Sequence, residues 1–350
     1  KEGSIIEYDY KVSSPDPGYL NNWTFQDSYP KLWSEYTVAV PQYYDFITFK
    51  QGYLPYAVDT AETYRDNFLI RDNGDAGSSG AAGSVTATVF KHKWAIQNVP
   101  SIKPEAFTTT INNYRSKISF QFSALRRADG SIKPYLSDWG SMVDELMKRE
   151  SFGLDLTHDL GWLNDDVKAA NALNGKALDN AKNIFAHVQS NYIVTDDYGY
   201  SLSQPLRKTA QTKKGNAADI NMLLVAMLKN VGFEAYPVLL STRSHGKTYD
   251  LYPIMNKFNY TVAQVSINGQ TYLLDAADKN LGFGHLSDDC YNGNARLVAP
   301  LPALINLSPD SLKETSLTFV AMQNEGNNTM TGHYSSQLGE MQSLEVRRAL

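Results

Sequence analysis

The segment from Asn216 to Asn230 is the most apolar in the chain, and it constrains the fold more than any other. Asn216 is a residue type that caps helix N-termini, and Asp219, three residues on, favours the positive end of a helix. Gly232 follows the segment and can end the helix. Because apolar residues occupy nearly every side of this helix, the sequence predicts that it is buried.

Helical patterns precede this segment and strand patterns follow it. Apolar residues recur at helical spacing at residues 138–150 and 176–190. Strand patterns follow at residues 235–242, 261–267 and 271–276. Asn268-Gly269, a strong hairpin signal, joins the last two of them. Helices followed by an antiparallel hairpin predict an α+β domain and not a doubly wound nucleotide-binding one.

The regions on either side of this domain are predicted to be β-rich. The chain has 22 Tyr, 14 Phe and 5 Trp, residue types that fit pleated sheets. Strand patterns before the domain fall at residues 4–12, 35–40, 45–49, 84–94 and 118–125. A strand–turn–strand pattern at residues 316–336 resembles the opening of a further β unit. We therefore predict an α+β multidomain chain: a sandwich-like β domain at 1–136, a core at 137–303, and the beginning of a β domain at 304–350.

Bulk properties exclude several classes of protein. The net charge of −5 comes from interspersed acidic and basic residues, so no nucleic-acid partner is expected. The apolar run at residues 222–228 is far too short to span a bilayer, so no transmembrane segment is expected. The chain opens on strand-like alternation at residues 4–12 and ends abruptly. It is therefore expected to be truncated at both ends, and its ends do not indicate localisation.

Three stretches resemble the transglutaminase-like superfamily, which has a papain-like core. Lys-Gly-Asn-Ala-Ala-Asp at residues 214–219, with the apolar helix after it, resembles the family's Gly-x-Cys-x-Asp helix start. Phe-Asn-Tyr-Thr-Val at residues 258–262 resembles its His-bearing strand. Tyr-Leu-Leu-Asp-Ala at residues 272–276 resembles the strand that carries its Asp. The resemblance implies a papain-like fold for residues 137–303.

The family's catalytic triad is only partly present. Carried over position by position, the Cys falls on Ala217, the His on Tyr260 and the Asp on Asp275. If the match for the base is shifted by one residue, it falls on Asn259, which is not a His either. A methyl group cannot attack a carbonyl, and a phenol with a pKa of about 10 is a poor general base near neutrality. No catalytic residue is therefore expected to function, and the chain is predicted to be a pseudoenzyme.

A second resemblance concerns the first third of the chain. Residues 3–8, 23–26 and 50–53 resemble a β-rich domain of unknown function. That domain often precedes transglutaminase-like cores in large envelope-associated proteins of Bacteroidetes-type bacteria. The resemblance implies a periplasmic or cell-envelope setting and further domains of a longer parent protein. It also implies a peptide or a cell-envelope component as partner.

The expected role is binding or scaffolding, and the candidate groove or ligand-binding residues lie at or near the three positions that correspond to the family's triad. They are Asn216, Asp219, Arg243, His245, Asn259, Tyr260 and Asp275. Arg243 and His245 lie in a polar loop that is expected near the mouth of the cleft, where they can bind a carboxylate or a peptide terminus. The interpretation favoured for that loop is a plain surface loop, and the one favoured for Asp275 is a structural strand end.

Two alternatives stay open. In the first, the chain is a hydrolase or peptidase with relocated catalytic residues near His245 or His285, with a Ser or Cys290 as nucleophile. In the second, the core is a purely architectural spacer. No cofactor is expected. No metal is expected either, because the six His residues have no ligand spacing and form no cluster with Cys.

Overall fold

The computed structural model of the chain describes residues 20–71, 82–106, 108–127, 129–136, 138–196 and 199–350. The chain divides into two compact units, Lys1–Ser137 and Asp138–Leu350. The strand predicted at residues 4–12 lies outside the described residues. Within the described part, no helix combines the length and the apolar character that crossing a membrane requires.

The first unit is built from β-strands. Its described strands are β1 (Trp23–Thr24), β2 (Lys31–Pro41), β3 (Tyr44–Gln51), β4 (Val58–Arg71), β5 (Ala82–Val99), β6 (Lys117–Arg126) and β7 (Ile132–Pro134). They form two antiparallel sheets, one ordered β2-β5-β4 and the other β1-β6-β3, with β7 paired to β6. Side chains of both sheets, such as Trp94 and Ile118, share one apolar core, so the unit is sandwich-like.

Four strands predicted from the sequence lie within β2, β3, β5 and β6, which confirms those predictions. Strand β4 has no such pattern, because its described side chains are mostly polar and exposed. It is held instead by antiparallel pairing to β5 along its whole length, from Val58 opposite Ala95 to Arg71 opposite Ala82. Backbone pairing of this kind leaves no trace in the apolar periodicity on which the prediction depends.

The second unit places most of its helices before its main sheet. Its helices are α1 (Trp139–Lys148), α2 (Leu154–Thr157), α3 (Asn164–Ala169), α4 (Ala177–Asn191), α5 (Leu206–Thr212), α6 (Ala217–Asn230) and α7 (Glu340–Ala349). Its strands are β8 (Ile193–Val194), β9 (Lys214–Gly215), β10 (Glu234–Leu240), β11 (Tyr260–Ile267), β12 (Gln270–Leu274), β13 (Gly293–Leu297), β14 (Ala303–Leu307), β15 (Leu317–Gly326) and β16 (Thr329–Gln337). The three predicted helices are confirmed as α1, α4 and α6.

Helix α6 forms the centre of the second unit. Every residue from Ala217 to Leu228 is buried, and each fully buried Leu, Ile or Met contributes roughly 1.5–3 kcal/mol of hydrophobic free energy. A capping box fixes the start of the helix. The Asp219 N–H donates to the Asn216 side chain at 2.7 Å, and the Asn216 N–H donates to the Asp219 carboxylate at 2.9 Å.

An antiparallel sheet, ordered β12-β11-β10-β13-β14, packs against α6. Strands β11 and β12 form the predicted hairpin. Asn268 and Gly269 at its turn have positive φ, 51° and 81°, as a two-residue type I′ turn requires. Because Tyr260 begins β11 and Asp275 directly follows β12, the hairpin brings both residues to the same end of the sheet.

The C-terminal part differs from the sequence prediction in two ways. Strand β14 pairs with β13, so the core sheet continues past residue 303 to Leu307. Helix α7 was not predicted. It buries Leu344, and Arg347 Nε donates to the Asn280 carbonyl at 3.0 Å. Between these elements, β15 and β16 form the hairpin that the pattern at residues 316–336 predicts.

Removing the helix cap should destabilise the second unit. Asn216→Ala deletes the acceptor of the Asp219 N–H, so the free energy of unfolding should fall by about 1–2 kcal/mol. Asn216→Ser retains a capping oxygen and should lose less. Chemical denaturation of both variants measures the difference. Equal stability of wild type and Asn216→Ala would show that this cap does not hold α6.

Candidate active site

Ala217 is the first residue of α6, at the position where the resemblance puts the catalytic cysteine. Its side chain is fully buried, and its N–H donates to the Asp196 carbonyl at 2.9 Å. It belongs to an apolar cluster that also contains Tyr260 and Cys290. A methyl group in this place supplies neither a nucleophile nor a proton.

Tyr260 contacts Asp275 directly, as the family's His would contact its Asp. The Tyr260 hydroxyl donates to Asp275 Oδ2 at 3.0 Å, and both side chains are buried. Burial, followed by the charge of Asp275, raises the pKa of the Tyr260 phenol well above its usual value. Tyr260 therefore stays a neutral hydrogen-bond donor and does not act as a base.

Asn221 completes this network, and sequence reasoning missed it. It lies on α6 one turn after Ala217, and its Nδ2 donates to Asp275 Oδ1 at 2.9 Å and to the Thr261 carbonyl at 3.0 Å. Its Oδ1 accepts the Ala276 N–H at 2.8 Å. The only available signal was a polar residue within an otherwise apolar stretch. Asn221 thus joins the helix to both strands of the hairpin.

The network holds Asp275 in place, but burial still disfavours its charge. Burial raises the pKa of the Asp275 carboxyl above its ordinary value, although hydrogen bonds from Asn221, the Ala277 N–H and Tyr260 oppose that rise. The Ala277 N–H lies 3.1 Å from Oδ1. Both carboxylate oxygens therefore have partners within the protein.

A groove with a volume of about 580 Å³ opens beside this network. Tyr260 and Asp275 contribute to its wall, whereas the buried Ala217 does not. The other lining residues are Ile193, Val194, Thr242, Ala277, Asp278, Lys279, Asn280, Ser287, Asp288, Asp289, Cys290 and Arg348. This set comes from the segments after β12 and β10, from β8, and from the last turn of α7.

Carboxylates outnumber cations in the groove. Arg348 donates to the Asp278 carboxylate, so that pair is neutralised. Burial, and after it the adjacent Asp288 carboxylate, raises the pKa of Asp289, with Arg243 and Arg348 opposing the rise. Burial is the main cause of this rise, and the neighbouring carboxylates of Asp288 and Asp289 both line the groove. The groove wall near Asp288 and Asp289 therefore favours a cationic group.

Cys290 is the only cysteine of the chain, and it lines the same groove. Its side chain is buried, and its Sγ lies 3.6 Å from Ser287 Oγ. Burial, followed by the negative charge of Asp275, raises the pKa of the Cys290 thiol far above its ordinary value. Because the thiolate is the nucleophilic form, Cys290 has the opposite environment to that of a catalytic cysteine.

The loop that carries Arg243 and His245 is hydrogen-bonded to the segment at residues 289–292. His245 is exposed, and its Nε2 lies 3.2 Å from the Asn256 carbonyl. Asn292 Nδ2 donates to the carbonyls of Ser241, Thr242 and Gly246, at 3.1, 3.1 and 2.9 Å, and so holds the loop in shape. The Arg243 N–H donates to the Asp289 carbonyl at 2.9 Å.

His285 is also exposed. Among the described residues that line the groove there is no histidine. The side chains proposed as a relocated base, His245 and His285, therefore lie outside the groove wall that contains Tyr260, Asp275 and Cys290.

The remaining candidate residues near the triad are occupied by the protein itself. Asp219 is fully buried and accepts from Ser203 Oγ at 2.5 Å and from the Ser203 N–H at 3.0 Å, besides its role in the capping box. Asn216 Nδ2 donates to the Ser201 carbonyl at 3.1 Å. Asn259 bonds Thr242 twice, through the Thr242 N–H at 2.8 Å and Oγ1 at 2.9 Å. These three side chains shape the site and do not line the groove.

Metal ligation finds no support in the part of the chain that the structure describes. Within it, no group of three or more His, Cys, Asp or Glu side chains is placed to hold a metal ion. Of the groove carboxylates, Asp278 is paired with Arg348, and Asp275 accepts hydrogen bonds from Asn221, Tyr260 and the Ala277 N–H.

Comparison with known proteins supports the fold described above. Residues 167–275 match the family model of the transglutaminase-like superfamily. The structure of a candidate protease from Parabacteroides distasonis ATCC 8503 is similar, with a TM-score of 0.50 and 12% identity over 88% of this chain and 54% of that one. This chain thus spans about half the length of that protein. The chain contains a transglutaminase-like domain preceded by a β-rich region.

Two further comparisons add little. A candidate cysteine protease from Cytophaga hutchinsonii aligns with a TM-score of 0.28 and 10% identity, over 88% of this chain and 93% of that one. No curated protein matches the chain.

The raised pKa of Asp275 predicts a pH-dependent stability. A carboxyl whose folded pKa lies above its unfolded value of 3.8 stabilises the fold fully below that value, and the contribution is lost as pH rises through the folded pKa. Asp275→Asn removes this titration. The stability of wild type relative to the variant should therefore fall with rising pH.

Chemical denaturation between pH 4 and pH 8 measures this difference. Asp165→Asn, on the exposed surface of α3, is the matched control and should leave the pH profile parallel to that of wild type. A constant difference between wild type and Asp275→Asn across the range would contradict the assignment.

Proposed function

We propose that the transglutaminase-like domain is catalytically inactive and binds an extended peptide with a basic side chain in the groove beside Tyr260. The observation that carries the proposal is the buried methyl group of Ala217 at the start of α6. Thiol chemistry on this fold needs a thiolate at the helix N-terminus, where the helix dipole stabilises it. Without that group no covalent acyl intermediate forms.

The other groups of the site do not restore the lost chemistry. The Tyr260 hydroxyl donates a hydrogen bond to Asp275, and its raised pKa keeps the phenol neutral. Cys290 is held as a thiol by burial and by the charge of Asp275. No thiolate stands at the helix start, and no histidine is among the described residues that line the groove, so the relocated-enzyme alternative lacks the imidazole base that it names.

The shape and charge of the groove support binding. A volume of about 580 Å³ suits a peptide segment of a few residues and argues against a core that only separates other domains. The carboxylates of Asp288 and Asp289 face the groove with partial neutralisation, and a Lys or Arg side chain of a ligand complements them. A cell-envelope setting and cell-wall-derived peptides as ligands are also part of the proposal. The resemblance of the first unit to a β-rich domain of envelope-associated proteins supports both.

Calorimetric titration with paired peptides tests this function. A peptide centred on Lys should bind more tightly than the same peptide centred on Glu. Asp288→Asn/Asp289→Asn should weaken the Lys peptide roughly tenfold, because two partly screened charge contacts are lost. Binding of the Lys peptide should also weaken as pH falls through the raised pKa of Asp289, since protonation removes the negative charge.

Asp165→Asn/Asp179→Asn is the control, because it removes the same charge from exposed helix positions that do not line the groove. It should leave the affinity unchanged. Equal weakening by both double variants would show a general charge effect. Failure of the Lys peptide to bind would refute the ligand class.

A further inference from the structure

Helix α7 contributes a cationic side chain to the groove beside Tyr260. Arg348, in the last turn of the helix, lines this groove. So do the three carboxylates that form its acidic wall, those of Asp278, Asp288 and Asp289. The Arg348 guanidinium donates to the Asp278 carboxylate, which is the contact that a basic side chain of a ligand would make there. The groove therefore already holds a basic side chain, and that side chain belongs to the chain itself.

The charge of Arg348 acts on the whole acidic wall. Burial alone lowers the pKa of its guanidinium, but the hydrogen bond to Asp278 and the charges of all three carboxylates raise that pKa above its ordinary value. In the other direction, Arg348 and Arg243 oppose the rise in the pKa of Asp289. Arg348 thus takes the place of a cation that the acidic wall would otherwise bind.

The contacts that hold α7 in this position are weak. Among the residues of the helix, all of them described, only Leu344 is buried. Arg347 Nε donates to the Asn280 carbonyl at 3.0 Å, and the side chain of Arg348 remains 43% exposed. Ion pairs at this exposure contribute little to stability, because water screens them. The docking of α7 therefore depends on one buried leucine and on partly exposed polar contacts.

The segment before α7 does not fix the helix either. Strands β15 and β16 are exposed along their whole length, apart from the partly buried Ser336. They pair with each other in a sheet of their own, separate from the sheet that packs against α6. Elements with little buried surface open at low free-energy cost. Helix α7 can therefore leave the groove without disrupting the core around α6.

We propose that α7 is an autoinhibitory strap: Arg348 occupies the cationic subsite at the acidic wall, and a peptide with a basic side chain binds there by displacing it. The inference rests on the peptide-binding function proposed above and names its regulation. The apparent affinity for such a peptide then depends on the fraction of chains in which the strap is released. A change that releases α7 should therefore tighten binding.

Calorimetric titration of the full chain with the Lys-centred peptide tests the strap through two variants. Arg348→Gln removes the internal cation and keeps a side chain of similar helix propensity. Leu344→Ala weakens the docking of α7 and changes neither the charge nor the lining of the groove. Each variant should bind the peptide roughly threefold to tenfold more tightly than wild type.

Arg149→Gln is the matched control. Arg149 is 40% exposed and pairs with Glu145, so this variant removes the same charge from a comparable ion pair that does not line the groove. Its affinity for the Lys peptide should equal that of wild type. Thermal unfolding verifies that each variant is folded.

Hydrogen–deuterium exchange reports the position of α7 directly. The amides of α7 should exchange faster when the Lys peptide is added to wild type, because an undocked helix of ten residues is marginal in water. A ligand that binds beside a docked α7 would leave this exchange unchanged or slow it. The Glu-centred peptide, which the acidic wall repels, should leave it unchanged.

The possible failures of the strap and of the peptide-binding function are distinguishable. Equal affinity of wild type, Arg348→Gln and Leu344→Ala, with unchanged exchange in α7, would overturn the strap and leave the peptide-binding function standing. Tighter binding by Arg348→Gln alone would also overturn the strap, since the loss of one repelling charge explains it. Binding by none of the three chains would instead refute the peptide-binding function, and the strap with it.

Discussion

The hydrogen bond from the Tyr260 hydroxyl to the buried Asp275 carboxylate, at 3.0 Å, is the interaction on which the site depends. The oxygens of a buried carboxylate must accept hydrogen bonds, or the fold loses several kcal/mol of stability. Three donors bond these oxygens: Tyr260 from β11, Asn221 from α6, and the Ala277 N–H from the turn after β12. The network therefore fixes the helix to the hairpin and acts as a structural joint between them.

This joint explains how catalytic groups can be absent without loss of the fold. In a papain-like enzyme, the Asp orients an imidazole by accepting its N–H. The Tyr260 phenol makes the same kind of contact with Asp275, so this carboxylate has a donor at the corresponding position. At the helix start, the methyl group of Ala217 packs within an apolar cluster. Both replacements suit packing, and neither suits attack on a carbonyl.

Much of this arrangement follows from local patterns in the sequence. The cap at Asn216, the buried helix α6 and the Asn268-Gly269 turn rest on interactions between near neighbours in the chain, and each was predicted; the reciprocal bond from the Asn216 N–H to Asp219 was not. That Ala217, Tyr260 and Asp275 belong to one site was implied by the resemblance to the transglutaminase-like family and not by these local patterns. Asn221 was missed because its partner Asp275 is 54 residues away in sequence.

Other features escaped prediction for the same physical reason. Arg348 reaches Asp278 across 70 residues, so no local pattern shows that the chain end contributes to the groove. Strand β4 is held by backbone pairing, which polar side chains do not reveal.

The most direct test of the central claim is a search for turnover. Purified full-length chain is incubated with peptide and glutaminyl substrates, and cleavage, transamidation and released ammonia are followed by mass spectrometry and amine detection. The loss of nucleophile and base predicts no product above the buffer control. Turnover by wild type that disappears in Asp275→Ala would contradict it, because it would show that the Tyr260–Asp275 pair still takes part in catalysis.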